Sequence, residues 1–282
     1  MIYGLGAALG WGFADFGGAV AGRRIGSRGV AIVAQGLSAV AVTLAFFLGG
    51  HHASEIAPVV WWMVLNGIVS AAAYATHYRA LQLGPISVVS PVSAAYAVVG
   101  VGLSMIVLDE RPGPVALGGA AVTVVGVMLA STDVKKLRAG THGVPPGLPW
   151  ALAAAVLFGV GGFVLGWASK QVGWMPALWA SRTMQFVGFA AAAAVRPGEL
   201  GRIGRNRGTW VAAATGAADL FGVSMFSFGA HAGFVSIVLV TSAVFPLIAV
   251  ALSIAYLHER PVLNQLVGAV VVVAGLVMLG LG

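Results

Sequence analysis

One stretch of the chain decides the fold, because the sequence contains it twice. Residues 93–126 read SAAYAVVGVGLSMIVLDERPGPVALGGAAVTVVG, and residues 242–275 read SAVFPLIAVALSIAYLHERPVLNQLVGAVVVVAG. At the constant offset of 149, 15 of these 34 positions are identical without a gap. The likeness extends outward, since Trp61 returns as Trp210 and Gly67 as Gly216. A duplication in so hydrophobic a chain indicates a membrane protein built from two repeats, as in many transporters.

The composition places the chain in a lipid bilayer. Of its 282 residues, 59% are hydrophobic and 8% are charged, whereas a soluble domain carries about 25% charged residues. The net charge of +7 does not indicate nucleic acid binding, because most of the 15 basic residues lie in short gaps between apolar runs, where topology signals lie. The absence of cysteine excludes disulfides and thiolate metal sites. The first apolar stretch begins at Met1 without a basic segment, which predicts a retained span rather than a cleaved signal.

Ten segments are long enough to cross a bilayer, which requires about 20 apolar residues. Prolines stand at or just before many of their starts, where a missing N–H costs nothing. The longest polar gap, residues 132–147, predicts a basic linker between a first repeat at 1–131 and a second at 148–282. The ten predicted spans, numbered in chain order, are 1–21, 29–50, 59–81, 86–108, 114–130, 149–168, 176–195, 209–230, 234–257 and 262–281.

Five spans per repeat make the duplication an inverted one. If the first copy enters the membrane from one side, the second copy must enter from the other, about a pseudo-twofold axis in the membrane plane. Lys and Arg support this, because the loops after spans 1, 3, 5, 7 and 9, together with Arg79 at the end of span 3, hold 12 of the 15. The positive-inside rule therefore predicts basic loops in the cytoplasm and both termini on the outer side.

The chain resembles the drug/metabolite transporter superfamily, in particular its EamA-type ten-helix exporters. The residues that carry the resemblance are Trp11-Gly12, the tract Ala80–Pro85 before span 4, and the Glu-Arg-Pro turns at 110–112 and 259–261. The resemblance implies a central cavity lined mainly by helices 1, 3, 4, 6, 8 and 9, and alternating access. It also implies export of amino acids, including aromatic ones, as in bacterial members. Members of this type commonly have cytoplasmic termini, the reverse of what the charge bias predicts here.

Charged side chains inside predicted spans are the first candidates for function, because a charge within a bilayer is costly. Asp219 lies in the middle of span 8, and Ser70 stands at its repeat-equivalent position. A carboxylate there can bind a substrate ammonium or carry a proton; the alternative is a hydrogen-bonded structural group. Asp15 in span 1 is a second proton-coupling candidate, although the preferred interpretation pairs it with Arg23 near the membrane edge. Trp11, one turn before Asp15, is interpreted equally as a cavity wall or an interfacial residue.

Span 3 carries a polar and aromatic stripe on one helix face, formed by Asn66, Ser70, Tyr74, His77 and Tyr78. Their spacing follows the helical period. Such a stripe faces protein or water and suits a small zwitterion or an aromatic side chain. The alternatives are helix packing through internal hydrogen bonds, or a gate at the His77 end. No second ligand is spaced to bind a metal with His77, so neither a metal nor another cofactor is predicted.

Two aromatic positions and two prolines fall in spans 4 and 9. Tyr96 matches Phe245 at the repeat offset, which predicts an aromatic pair across the pseudo-twofold axis, with core packing as the alternative. Pro91 and Pro246 lie within the same spans, where proline frees a backbone carbonyl and kinks the helix. We interpret these prolines as candidate hinges, although they are not repeat equivalents.

Spans 5 and 10 share a glycine pattern. Gly119 and Gly126 lie on one face of span 5, and Gly268 and Gly275 repeat them in span 10. Small residues at this spacing allow close helix contact, which predicts a packing seam between halves or subunits. The Glu-Arg-Pro turns are predicted to be structural.

The preferred function is a secondary transporter in the bacterial inner membrane that exports amino acids or similar small metabolites by alternating access. The alternative is a multidrug exporter of lipophilic cations. It is placed lower, because span 1 carries an acid only late, at Asp15. A membrane enzyme or a scaffold is a distant third reading, since no nucleophile–base set appears. The expected partners are a small molecule and lipid, with the protein a monomer or homodimer.

Overall fold

The computed structural model describes residues 2–108, 113–131, 146–195 and 203–281. Within these ranges the regular elements are helices, and no strand occurs. A short 3₁₀ helix at Ala53–Val59 precedes α2. The α-helices are α1 (Ile2–Leu48), α2 (Val60–Leu83), α3 (Ile86–Ala94), α4 (Tyr96–Leu108), α5 (Pro114–Ser131), α6 (Leu148–Val172), α7 (Trp174–Val195), α8 (Arg207–Ala232), α9 (Val235–Ser242), α10 (Pro246–Leu257) and α11 (Leu263–Leu281).

The helices are long and apolar enough for a multi-pass membrane protein. Among the described residues, six helical stretches meet the length and hydropathy of a membrane span, and two shorter apolar helices lie at Leu117–Gly126 and Leu263–Met278. The six are Ile2–Leu48, Ala53–Leu83, Ile86–Val107, Leu148–Val172, Arg207–Ala232 and Val235–Leu257.

In each half, a glycine with positive φ interrupts or ends the first long helix. Gly26 interrupts α1 with φ 81° and ψ 156°, and Gly173 separates α6 from α7 with φ 91° and ψ 156°. Side-chain-bearing residues rarely adopt this conformation, whereas glycine does so without steric cost. The predicted gap at 22–28 is therefore wrong, because helix runs up to Gly26 and resumes directly after it. The two glycines are 147 residues apart, so the 149-residue register does not align them.

Predicted spans 4 and 9 are both broken near their centres. Helix α3 ends at Ala94 and α4 begins at Tyr96, while α9 ends at Ser242 and α10 begins at Pro246. Ala95 and Val244, which lie in the two breaks, are 149 residues apart and hence repeat-equivalent. Pro91 lies inside α3 and Pro246 begins α10, so the breaks share a position although the prolines do not.

Helices α5 and α11 pack together and join the two halves. A Cβ on Gly126 would lie 2.5 Å from the backbone nitrogen of Val272, and one on Gly275 would lie 2.5 Å from that of Thr123. Backbones this close leave no room for a side chain. The predicted glycine seam is confirmed at Gly126 and Gly275, and there it lies between the halves.

The second Glu-Arg-Pro turn contacts the start of α3 in the other half. Glu259 accepts hydrogen bonds from the backbone N–H groups of Ile86 at 3.1 Å and Ser87 at 3.2 Å. A carboxylate there satisfies helix N–H groups that have no intrahelical partner. Arg23 approaches the same carboxylate at 3.5 Å, so its predicted pairing with Asp15 is wrong. The first turn, at 110–112, and most of the predicted linker lie outside the described residues.

Candidate functional site

A cavity of about 90 Å³ lies at the centre of the bundle, between the two halves. A cavity needs roughly 10–15 Å³ to hold one water molecule, so this space has room for more than a single water. Its wall comes from α1, α2, α3, α4, α6 and α8, from the break before α10, and also from α7. The predicted candidates that line it are Trp11, Asp15, Ser70, Tyr74, His77, Tyr78, Tyr96, Asp219 and Phe245.

Asn66 is the one predicted binding residue that does not line this cavity. Its Nδ2 donates to the carbonyl oxygen of Gly161 at 2.7 Å, and its Oδ1 accepts from the hydroxyl of Ser181 at 2.7 Å. Asn66 is buried and joins α2 to α6 and α7. For this residue, the structure matches the alternative of helix packing through internal hydrogen bonds.

Trp11 is the centre of an aromatic wall. Its ring centroid lies 5.7 Å from that of Phe226, 6.2 Å from that of Tyr96 and 6.5 Å from that of Phe245. Tyr96 and Phe245 therefore both contact Trp11, which lies between the halves with them. The Tyr96 hydroxyl lies 2.6 Å from Ser242 Oγ, so this ring is also fixed across the two halves.

A buried ion pair joins α7 to α8. Arg182 Nη1 lies 3.2 Å from Asp219 Oδ2, and both side chains are 2% exposed. Tyr74 donates to Asp219 Oδ1 at 2.6 Å, and the Arg182 guanidinium also lies over the Tyr74 ring, 5.3 Å from its centroid. Because each charge has an opposite partner and further hydrogen bonds, the pair is compensated within the protein.

Two glutamines complete this network and were not predicted. Gln35 donates to Asp219 at 3.2 Å and to the Tyr78 hydroxyl at 3.2 Å, and it accepts from Arg182 at 2.8 Å. Gln185 accepts from Arg182 at 3.1 Å. The network thereby connects α1, α2, α7 and α8 around one side of the cavity.

A second polar cluster joins α1, α2 and α3. His77 Nε2 lies 2.7 Å from Asp15 Oδ1, and His77 Nδ1 lies 3.1 Å from Ser93 Oγ. The hydroxyl of Ser90 donates to Asp15 Oδ2. Asp15 and His77 are both buried. The two proton-coupling candidates thus differ, since Asp219 faces an arginine and Asp15 faces a histidine.

Several buried donors on the cavity-lining residues have no acceptor among the described residues. They are Trp11 Nε1, Arg182 Nε and Gln185 Nε2. A buried donor without a partner costs about 1–3 kcal/mol, so such atoms require an explanation.

The sequence offered signals for the residues that were missed. Arg182 lies inside predicted span 7, where an intramembrane charge indicates a function by the same rule that selected Asp219. Gln185 lies three residues after Arg182, on the same helix face. Gln35 is also a polar residue within a span, although nothing in its local spacing identifies a partner. Among the described residues, no group of three or more His, Cys, Asp or Glu is placed to hold a metal ion.

Comparisons with known proteins agree with this architecture. The EamA-like transporter family matches residues 1–132 and 145–281, in two repeated halves. A solved structure described only as "Crystal structure of protein" superposes with a TM-score of 0.73 at 18% sequence identity, covering 99% of this chain and 96% of its own. No curated protein matches the chain.

Proposed function

Because the chain belongs to the EamA-like transporter family, we propose that it is a secondary transporter that exports amino acids, including aromatic ones. The observation that carries this proposal is the central cavity of about 90 Å³ formed by both halves. Its lining combines aromatic rings around Trp11 with the buried charges of Asp15, Arg182 and Asp219. The family supports a transporter rather than an enzyme.

The wall chemistry suits an amino acid with an apolar side chain. Rings at Trp11, Tyr96 and Phe226 offer flat apolar contact to a side chain. The unpartnered donors of Arg182 and Gln185 would gain an acceptor from a substrate carboxylate. Aromatic rings together with unpartnered donors favour an amino acid, and an aromatic one in particular, over a lipophilic cation without a carboxylate.

Alternating access would arise from two inverted five-helix repeats, at 1–131 and 148–282, joined by 132–147. In this proposal the chain crosses the membrane ten times, counting the two parts of α1 on either side of Gly26 separately. The paired breaks at Ala95 and Val244 support it, because they interrupt equivalent helices beside the cavity. Pro91 and Pro246 are the proposed hinge residues at these breaks.

The proposed location is the bacterial inner membrane, with the protein acting as a monomer or a homodimer. The distribution of Lys and Arg supports basic loops in the cytoplasm and termini on the outer side.

Counterflow in proteoliposomes tests the proposed function. The purified full-length chain is expected to exchange labelled phenylalanine against an internal amino acid pool. Trp11→Ala is expected to reduce this exchange at least tenfold, because it removes the centre of the aromatic wall. Trp61→Ala is the matched control, since Trp61 is 81% exposed and lies outside the cavity. Exchange of organic cations without exchange of any amino acid would overturn the proposal.

A further inference from the structure

The charges that line the cavity do not balance when His77 is neutral. Arg182 and Asp219 cancel each other at 3.2 Å. Asp15 is left with His77 at 2.7 Å and the hydroxyl of Ser90. With a neutral imidazole this cluster keeps one negative charge in a buried place, which is costly unless a positive charge joins it.

Comparison of the two repeats shows that packing does not require the imidazole. The repeat equivalent of His77 is Phe226, and that of Ser93 is Ser242. Phe226 fills its place in the second half as an apolar ring that is 1% exposed. Ser242 is bonded there by the hydroxyl of Tyr96 at 2.6 Å. An aromatic ring therefore suffices at this position, and the imidazole adds titratable chemistry to one half only.

We propose that Asp15 and His77 share one exchangeable proton, and that the ammonium group of the substrate displaces it. This inference rests on the proposed transport function and names the group on the substrate that is recognised. On binding, the N–H bond of the imidazolium breaks, the ring nitrogen keeps the electron pair, and the proton passes to water on the side to which the cavity opens. The ammonium then donates to the carboxylate of Asp15.

The other titratable groups around the cavity have partners of their own. Tyr74 donates to Asp219, Tyr78 accepts from Gln35, and Tyr96 bonds to Ser242. Histidine is the side chain that ordinarily changes charge between about pH 5 and 8. The geometry therefore leaves the Asp15–His77 pair, as a unit, to hold the exchangeable proton.

The charge count predicts how transport responds to membrane potential. Exchange of one proton for zwitterionic phenylalanine moves one net charge per cycle. Exchange of one proton for phenylalanine amide, a monocation, moves none. The two compounds share the ring and the ammonium, so they form a matched pair that differs in the carboxylate.

The first test uses the unaltered protein. Phenylalanine is added to the purified full-length transporter in weakly buffered detergent solution at several values between pH 5.5 and 8, and released protons are measured. At the pH of greatest release, we expect close to one proton to be released per phenylalanine bound. Exchange of phenylalanine in the counterflow assay without any proton release would overturn this inference and leave the proposed function standing. Absence of exchange in the unaltered protein would instead count against the proposed function.

The second test uses His77→Gln, because glutamine can still donate to Asp15 but does not titrate. Counterflow is expected to persist, whereas uptake driven by a pH gradient and proton release are lost. Asp15→Asn is expected to weaken phenylalanine binding roughly ten- to a hundredfold, as for the loss of one charged hydrogen bond.

The matched controls are His51→Gln and Glu55→Gln. His51 and Glu55 form the same kind of pair at 2.9 Å, but each is about one third exposed and outside the cavity. Both substitutions are expected to leave the uptake driven by a pH gradient unchanged. A full pH-gradient response in both His77→Gln and Asp15→Asn would overturn the inference.

Discussion

Neutralising Asp219 is the sharpest test of the ion pair between α7 and α8. In Asp219→Asn, the guanidinium of Arg182 stays buried at 2% exposure and loses its carboxylate partner. Removing one member of a buried pair costs about 3–5 kcal/mol, because the other charge is left uncompensated. Tyr74 donates to Oδ1 and Gln35 donates to Oδ2, and asparagine keeps only one of these two oxygens. The expected loss therefore combines the uncompensated charge of Arg182 with one lost hydrogen bond.

The double variant Arg182→Met with Asp219→Asn provides the internal control. Removing both charges leaves no isolated ion, so we expect it to recover most of the stability lost in Asp219→Asn. Arg182→Met alone likewise leaves Asp219 uncompensated, so the loss in the double variant is expected to be well below the sum of the two single losses, as for two side chains in contact.

The assay is thermal unfolding of the detergent-solubilised protein, in which the folded fraction that remains after heating is measured by size-exclusion chromatography. A loss of about 3–5 kcal/mol lowers the midpoint by roughly 6–20 °C for a chain of this size class. Glu55→Gln, at a partly exposed pair, is the comparison variant and should change little. Equal stability of Asp219→Asn and the unaltered protein, or additive effects in the double variant, would refute the reasoning.

Two further predictions concern backbone positions. Gly26→Ala is expected to lower stability by about 1–3 kcal/mol, because φ of 81° with ψ of 156° is a conformation that alanine strongly disfavours. Gly102→Ala is its control in the same thermal assay, since a Cβ there meets nothing within 4 Å, and a loss as large as that of Gly26→Ala would contradict the explanation. Glu259→Gln is expected to cost about 1 kcal/mol, because it weakens the charged cap on the N–H groups of Ile86 and Ser87. A stability unchanged within error would show that the cap contributes nothing.

Much of the helical architecture could be predicted because it depends on local composition and period. An apolar stretch of about 20 residues indicates a membrane span without knowledge of the rest of the fold. The glycines of spans 5 and 10 likewise predicted a seam, which Gly126 and Gly275 form. The break at Gly26 could not be located in the same way. Arg23, Arg24 and Arg28 are exposed and were interpreted as a loop, whereas the helix continues beneath them on both sides of the glycine.

The candidate site was predictable residue by residue, but its pairings were not. Intramembrane polarity selected Asp15, His77 and Asp219, which all line the cavity. Their partners are far away in sequence: His77 lies 62 residues from Asp15, and Arg182 lies on the helix preceding that of Asp219. No helical period connects such positions, so chain topology alone brings them together. This is why the sequence suggested Asp219 as the proton carrier, while the geometry surrounds that carboxylate with a fixed positive charge.

The differences between the repeats explain how a symmetric fold can hold an asymmetric site. The seam glycines and the breaks at Ala95 and Val244 recur in both halves, as the proposed alternating access would require. The ionisable groups do not recur: His77 is replaced by Phe226, and Asp219 by Ser70. The cavity between the halves therefore has unlike walls, with Asp15 and His77 on the first half and Arg182 and Gln185 on the second. An amino acid, the proposed substrate, is itself asymmetric, with a cationic and an anionic end, and this arrangement would provide a separate partner for each.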